Sequence, residues 1–408
     1  MQNPQWDIAV VGGAGHVGAP LAILLASRGA RTLIHDIDAG AMARLAAGQL
    51  PFFEDGGAEM LGEVLRAGTL GFSPDCAAVR GVPTIVITIG TPIDEFSNPR
   101  LGDLTACVDR LLPYLSDAQT LMLRSTVFPG VTDFLQRYLR AHGRATRLAF
   151  CPERVVQGLS IRELQTLPQI VSGTTPEAEA EAARVFATFA PEIVRMTPTE
   201  AEFAKLFTNA YRYMQFAITN QFYMMATAAG ADYGTILAGM KEGYPRMQSL
   251  PGAGFAAGPC LYKDTHQLAT FAQQQFAIGH AAIQANEGLP AFVVEQLAAR
   301  FDLPQTTVGL LGMAFKADSD DPRASLSYKL KKLLRFGARA VLTTDPWVKG
   351  DPDLLPLEEV TARSDVLVLC APHAAYRPMD FQGRPVLDVW NVLTAANVLR
   401  AADAQGPR

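Results

Sequence analysis

A glycine fingerprint near the start of the chain constrains its fold more than any other feature. Asp7-Ile8-Ala9-Val10-Val11-Gly12 is a short apolar run of the kind that forms a buried parallel strand. Gly13-Ala14-Gly15-His16-Val17-Gly18 follows, a GxGxxG, and then a helical run from Ala19 to Arg28 closed by Gly29. A second strand, Arg31 to His35, ends at Asp36. Strand, glycine turn, helix, strand and acid in this order form a dinucleotide-binding unit. Gly13 is expected to make the turn, with the additional Gly12 loosening it. Gly15 lets a pyrophosphate reach the helix N-terminus, with His16 and Val17 in the same turn, and Gly18 lets helix and strand pack closely. Asp36 is placed to accept hydrogen bonds from ribose hydroxyls. No Arg follows it closely to hold a 2′-phosphate, so the pattern favours NAD over NADP.

Further strands are expected at Thr84–Thr88, Thr120–Leu123 and Arg147–Phe150. They run into Gly90-Thr91-Pro92, Ser125-Thr126-Val127 and Cys151-Pro152-Glu153-Arg154. In an open α/β sheet the carboxyl edge of the strands is where ligands bind. Glu153 is therefore a candidate acid or base, and Thr91 and Thr126 stand either at the ligand or as helix caps. From Thr197 to about Ala229 apolar residues recur at helical spacing, with Thr199 and Glu202 as a candidate capping box. So long a helix is expected to connect domains and to form a dimer. Lys205 and Asn209 share one face of it. For Lys205 alone, a solvated helix face is the competing assignment.

Pro251-Gly252-Ala253-Gly254-Phe255-Ala256-Ala257-Gly258-Pro259-Cys260 puts a thiol at the end of a Gly/Pro-rich loop, followed by Leu261-Tyr262-Lys263-Asp264. Glycines let backbone come close to a ligand, and a neighbouring cation lowers a thiol's pKa. Cys260 is thus a candidate nucleophile. A cysteine taken alone is more often a small core hydrophobe, and the dinucleotide unit reverses that preference here. After a helical run from Asp264 to Arg300 the α/β pattern restarts, with strands at Thr306–Leu311, Ala338–Thr343, Asp365–Leu369 and Pro385–Val389. This half has no GxGxxG, so it is expected to hold something other than a second dinucleotide. Lys316 and Arg323 lie where phosphates can be met.

The 408 residues fit two or three domains, and 49% apolar composition suffices for a large core. A net charge of −5 without a basic run argues against a nucleic-acid partner. The five cysteines are scattered without zinc-ligand or disulfide spacing, which fits a reducing cytoplasm. The early first strand gives the expectation of no signal peptide, and no apolar run is long enough for a membrane span. The segment after about Ala401 reads as a polar tail.

Taken together, these motifs resemble the UDP-glucose/GDP-mannose dehydrogenase family over nearly the whole chain. The resemblance rests on GAGHVG, Asp36, Leu50-Pro51-Phe52-Phe53-Glu54, Gly90-Thr91-Pro92, Ser125-Thr126-Val127 and Pro152-Glu153. It continues through Lys205 with Asn209, Gly258-Pro259-Cys260 with Lys263-Asp264, and Leu311-Gly312-Met313-Ala314-Phe315-Lys316 leading to Asp320-Asp321-Pro322-Arg323. It implies an α/β protein of two doubly wound Rossmann-like domains joined by a long central helix and a helical dimerisation region. The expected division is an NAD domain at 1–196, a central helical domain at 197–300 and a nucleotide-sugar domain at 301–408.

The implied reaction is a four-electron oxidation of a sugar 6-hydroxyl to a carboxylate, with NAD as cofactor, a UDP-sugar as substrate and a homodimer or larger homo-oligomer as the active form. Cys260 would form a thiohemiacetal and then a thioester. The family assigns oxyanion stabilisation to the positions of Lys205 and Asn209, water to that of Asp264, thioester hydrolysis to Glu153 and support of the same network to Thr126. Lys263 and Arg323 would meet NAD phosphates and Lys316 the substrate nucleotide, with Phe255 and Gly258 lining the substrate.

Some residues depart from the UDP-glucose pattern. Arg154-Val155 follows Glu153 where Phe-Leu is usual, and Arg154 with Tyr244-Pro245-Arg246 resembles the branch acting on UDP-N-acetylhexosamines, in which Arg246 can reach a partner subunit's substrate. Lys263-Asp264 is more like the UDP-glucose branch, and Ala256-Ala257 replaces glycines often found there. Two other classes stay open on the residues alone: a two-electron hydroxyacid dehydrogenase, which needs no cysteine, and a non-catalytic NAD-binding protein.

Overall fold

Strand β1, Ile8–Val11, is buried on both faces, and its side chains alternate between two hydrophobic clusters. Ile8 and Val10 pack with the helix Gly18–Ser27, whereas Ala9 and Val11 pack with Leu104 and Leu121 across the sheet. A strand covered on both sides belongs to a doubly wound sheet. The computed structural model describes residues 5–94, 100–256, 258–273, 275–394 and 397–399. Ala257 and the polar tail lie outside the described residues.

The chain divides into two compact units, Met1–Thr208 and Asn209–Arg408. The first holds an eight-stranded sheet of order β3-β2-β1-β4-β5-β6-β7-β8. After β1 its strands are β2 Thr32–His35, β3 Leu70–Ser73, β4 Thr84–Ile87, β5 Thr120–Leu123, β6 Arg147–Phe150, β7 Gln169–Gly173 and β8 Ile193–Arg195. All pairings are parallel except β6 with β7. The order reverses beside β1, which pairs with both β2 and β4 and so marks the topological switch point. Strands β3, β7 and β8 were not expected from the sequence. Leu70–Ser73 and Ile193–Arg195 are short and only partly buried, so they carry a weak apolar signal.

The second unit begins inside the long helix. That helix spans Pro198–Ala228, close to the expected range, but its capping box is Thr197 with Glu200. The expected box of Thr199 and Glu202 does not form, because Glu202 is buried and accepts the N–H groups of Gly130 (2.6 Å) and Thr132 (2.8 Å) at the start of the helix Val131–Ala141. A carboxylate at a helix N-terminus is favoured by both the free N–H groups and the dipole. The expected single run from Asp264 to Arg300 is two helices, Leu261–Phe271 and Ala277–Ala298. The closing sheet is parallel, of order β10-β9-β11-β12, with β9 Thr307–Leu311, β10 Ala340–Thr344, β11 Val366–Leu369 and β12 Val386–Asp388.

Candidate active site

In the first unit the glycine turn leaves β1 at its carboxyl end. Gly12 takes the left-handed conformation, with φ of +76°, so the residue expected to loosen the turn is the one that makes it. Gly13 has an ordinary φ and serves close packing, since a Cβ on it would lie 2.6 Å from the Val10 carbonyl oxygen. The N–H groups of Gly12 and Gly13 both donate to the His35 carbonyl, at 2.9 and 3.2 Å. Gly18 is hemmed in by backbone, with Gly12 O 2.4 Å from the place of a Cβ. Gly15 is exposed, and a Cβ there would meet only Gly12 O, at 3.6 Å. Val17 caps the helix Gly18–Ser27 without a side-chain hydrogen bond, so the site where an anion would bind is not filled by a capping side chain. His16 stacks on Phe52 with centroids 4.2 Å apart, tying the turn to the Leu50–Glu54 segment.

Asp36 sits where the sequence puts it, after β2. Its Oδ2 accepts the Ala14 N–H at 2.9 Å and its Oδ1 that of Asp38 at 3.0 Å, and the half-exposed carboxylate keeps acceptor capacity for a diol. The next residue, Ile37, was not singled out in the sequence. It is 83% exposed, an apolar side chain standing in solvent beside the ribose acid.

The loops after β4 and β5 are joined, because the Thr91 hydroxyl donates to the Thr126 carbonyl. Helix capping is therefore not the role of Thr91. After β6, Glu153 accepts the Val155 N–H and Arg154 donates to the Pro168 carbonyl. Behind them lies Arg124, which sequence reasoning missed although it is a charge closing an apolar strand. Arg124 is fully buried, donates to Cys151 O and Gln169 Oε1, both at 3.1 Å, and lies over the Phe186 ring. Burial pushes its pKa down, opposed by the charge of Glu153. Glu54 accepts the Ile161 N–H at 2.8 Å and so fixes the loop that follows Glu153.

In the second unit, Cys260 is exposed and immediately precedes the helix Leu261–Phe271, as its N-cap residue. One turn into the helix, Asp264 is completely buried. It accepts a 2.5 Å hydrogen bond from Asn209 Nδ2, and the Lys263 ammonium stands 3.0 Å from its other oxygen. Lys263, read as a phosphate ligand, is thus ion-paired with Asp264 here. Lys205 lies one turn before Asn209 on the long helix and is only 7% exposed, so a solvated helix face is not its setting.

Two loops of this unit meet at the thiol. The Gly258 N–H donates to Ala324 O at 3.3 Å, and a Cβ on Gly258 would lie 2.5 Å from the Phe315 ring. Arg323 is held by Asp321 through Nε and Nη2, and its guanidinium is within electrostatic reach of the Cys260 thiol. The other end of the glycine loop is fixed by Asn220, which both donates to Gly254 O and accepts the Gly254 N–H. Phe255 is 2% exposed and packs in the hydrophobic core, which leaves its backbone for a ligand. Arg246 stands in an exposed pair with Tyr244, its guanidinium 4.8 Å over that ring. Lys316 is half-buried on the loop after β9.

Profiles of the UDP-glucose/GDP-mannose dehydrogenase family match three consecutive stretches: its NAD binding domain over residues 6–190, its central domain over 199–288 and its UDP binding domain over 309–395. The chain belongs to this family. It is 28% identical to the UDP-N-acetyl-D-mannosamine dehydrogenase of Pyrococcus horikoshii, over 92% of this chain and 91% of that one. It is also 28% identical to the NDP-N-acetyl-D-galactosaminuronic acid dehydrogenase of Ralstonia nicotianae, over 96% and 97%. A solved structure of UDP-D-ManNAc dehydrogenase from Pyrococcus horikoshii superposes with a TM-score of 0.89 at 25% identity, covering 98% of this chain and all of that one. As in the family, NAD is the cofactor. The open face at Gly15, the helix N-terminus and the part-free Asp36 carboxylate fit its pyrophosphate and ribose.

Proposed function

We propose that this protein oxidises the 6-hydroxyl of a UDP-N-acetylhexosamine to the carboxylate, with Cys260 as covalent nucleophile. One observation carries the assignment of the second oxidation. An exposed thiol stands at a helix N-terminus, one turn from a fully buried carboxylate bonded to Asn209 and paired with Lys263. NAD, one molecule per two-electron step, supplies the hydride acceptor. Gly15, Asp36 and Thr91 hold it, and Ile37 packs on its adenine.

In the first step the sugar alcohol loses its hydroxyl proton, and Lys205 and Asn209 stabilise the developing oxyanion. The aldehyde formed has no further hydride to give until something adds to it. Cys260 Sγ adds to the carbonyl carbon, and the resulting thiohemiacetal is oxidised to a thioester. Water then attacks the thioester carbonyl with Asp264 and Glu153 handling its proton, the C–S bond breaks and the thiol is regenerated. The sugar assignment is supported by Arg154 and Tyr244-Pro245-Arg246, and by relatives named for N-acetylated sugars. Lys316 meets the nucleotide and Arg323 an NAD phosphate.

The active form is a homodimer or a multiple of one. Support comes from a stripe of exposed apolar side chains along the long helix, Phe207, Tyr211, Ile218, Phe222 and Met225, more than a monomer surface usually carries in one line. Because the reaction requires a reduced thiol, the reading includes a cytoplasmic location. Among the described residues no helix is long and apolar enough to cross a membrane.

The test is a count of NADH formed per sugar consumed across UDP-glucose, UDP-GlcNAc and UDP-ManNAc. Two per sugar, with an N-acetylated substrate preferred, is the expected result. One per sugar would move the protein to the two-electron hydroxyacid dehydrogenases, and a strong preference for UDP-glucose would reverse the sugar assignment.

A further inference from the structure

The second sheet carries an acid where the first carries Asp36. Asp345 follows β10 as Asp36 follows β2, and both accept N–H groups from the loop after the neighbouring strand. Their remaining capacity differs. Asp345 Oδ1 takes the N–H groups of Trp347 (2.7 Å) and Val348 (3.0 Å). Its Oδ2 takes those of Met313 (2.6 Å) and Ala314 (2.9 Å), and His373 Nε2 lies 3.1 Å away, all with the side chain fully buried. A carboxylate so occupied has nothing to offer a ribose. It is a lock on the loop after β9.

His373 closes the same lock from the other side. Its ring is fully buried, and the Asp318 N–H donates to Nδ1 at 2.9 Å. Nδ1 therefore carries the lone pair, and the proton sits on Nε2, where it donates to Asp345. Asp318 returns the contact by accepting the Ala374 N–H at 3.0 Å. It does so with φ of +49°, in the left-handed region that aspartate enters more readily than most non-glycine residues. Ala314 and Asp318 are thus both anchored to the Asp345–His373 pair, and Lys316 stands midway between them.

We propose that His373 is a positioning residue for Lys316: through Asp345 and Asp318 it fixes the arc from which Lys316 meets the nucleoside diphosphate of the substrate. This rests on the reading of Lys316 given above. Its energetic role is pre-organisation, which removes part of the cost of ordering a long cationic side chain and its loop when the ligand binds. Cys260, Asn209 and Asp264 are not on this arc, although its Phe315 packs against Gly258 of the thiol loop, so the effect falls more on binding than on the chemical step.

The experiment measures the affinity of the full-length protein for UDP by calorimetry, together with KM and kcat for the UDP-sugar that the wild type oxidises. His373→Ala is expected to weaken UDP binding and raise KM by roughly tenfold, the worth of about one buried hydrogen bond, with kcat changed less and NAD affinity unchanged. Asparagine places an acceptor where Nδ1 was, so His373→Asn should keep the Asp318 bond and most of the affinity. Glutamine places an N–H where Nε2 was, so His373→Gln should keep the Asp345 bond, lose the Asp318 one, and bind UDP more weakly than His373→Asn but more tightly than His373→Ala. In a Lys316→Ala background the His373→Ala change should add little, because the two act through one contact. Independent, additive losses, or a fall in kcat with KM unchanged, would overturn the proposal. A wild-type protein that does not bind UDP would instead overturn the nucleotide reading of this domain.

Discussion

Two glycines of the same turn should respond oppositely to the same substitution. At Gly18 an added methyl would lie 2.4 Å from Gly12 O, 2.6 Å from Gly13 Cα and 2.7 Å from Thr88 Oγ1. None of these atoms can yield cheaply. Two are backbone, and the Thr88 hydroxyl is itself bonded to the carbonyls of Val11 and Gly12. Accommodation therefore requires backbone displacement, which puts the cost near the upper end of overpacking, about 3 kcal/mol, with about 1 kcal/mol more if a Thr88 hydrogen bond is lost.

At Gly15 the same methyl meets nothing closer than 3.6 Å, and no left-handed φ is needed. Gly15→Ala should leave the unliganded protein unchanged or up to about 1 kcal/mol more stable, because the unfolded chain loses freedom. Its methyl would occupy the face where the pyrophosphate approaches, so NAD affinity should fall by roughly tenfold or more. Urea denaturation without ligand and NAD titration of both variants check this. Unchanged NAD affinity in Gly15→Ala would place the pyrophosphate elsewhere, and an unchanged denaturation midpoint in Gly18→Ala would refute the close helix–strand packing.

The remaining expectations concern charge, thiols and assembly. Cys260→Ser should keep NAD binding yet lose net oxidation by several orders of magnitude, since serine is a far weaker nucleophile at neutral pH; a near wild-type rate of acid formation would end the thioester mechanism. Burial pushes the Cys107 thiol up to about 11, that of Cys151 to about 12 and that of Cys370 higher still. Alkylation near pH 8 should therefore modify Cys260 and the part-exposed Cys76 first, as read by peptide mass spectrometry.

For Asp345, burial opposes the charge, but the His373 hydrogen bond and the N–H groups of Val348 and Ala314 outweigh it and hold the carboxyl down to about 2. Because the folded value lies below the unfolded one, its stabilisation, roughly 2 kcal/mol, is complete above about pH 4 and lost as pH falls through about 2. Asp345→Asn should therefore be less stable than wild type in urea at pH 7, with the gap narrowing in acid; a gap independent of pH would contradict this. Phe207→Glu with Met225→Glu should shift the light-scattering mass from a dimer or multiple to a monomer, and a monomeric wild type at micromolar concentration would refute the interface.

Local pattern was enough for the dinucleotide-binding unit from β1 to Asp36, though not for β3, β7 and β8 of the same sheet. Ile8–Val11, Gly12–Gly18 and Asp36 are close in sequence, and each residue type is demanded by backbone geometry or by charge at a strand end. Strands such as Thr120–Leu123 and Arg147–Phe150 were legible for the same reason, since burial on both faces leaves an unbroken apolar run. The pairing of Cys260, Lys263 and Asp264 came from the motif too, because a single helical turn fixes it.

Other features depend on what distant segments bring. Glycine type alone did not say that Gly12 and not Gly13 would turn left-handed, since that is set by the hydrogen bonds of both N–H groups to His35 O across the sheet. Glu202 looked like a cap for its own helix and instead caps the helix Val131–Ala141, a choice made where a buried carboxylate finds donors. Arg124 behind Glu153, Asn209 on Asp264, and His373 on both Asp345 and Asp318 join residues far apart in the chain. Their side chains name a chemistry, but only the packing of the elements that carry them supplies the partner.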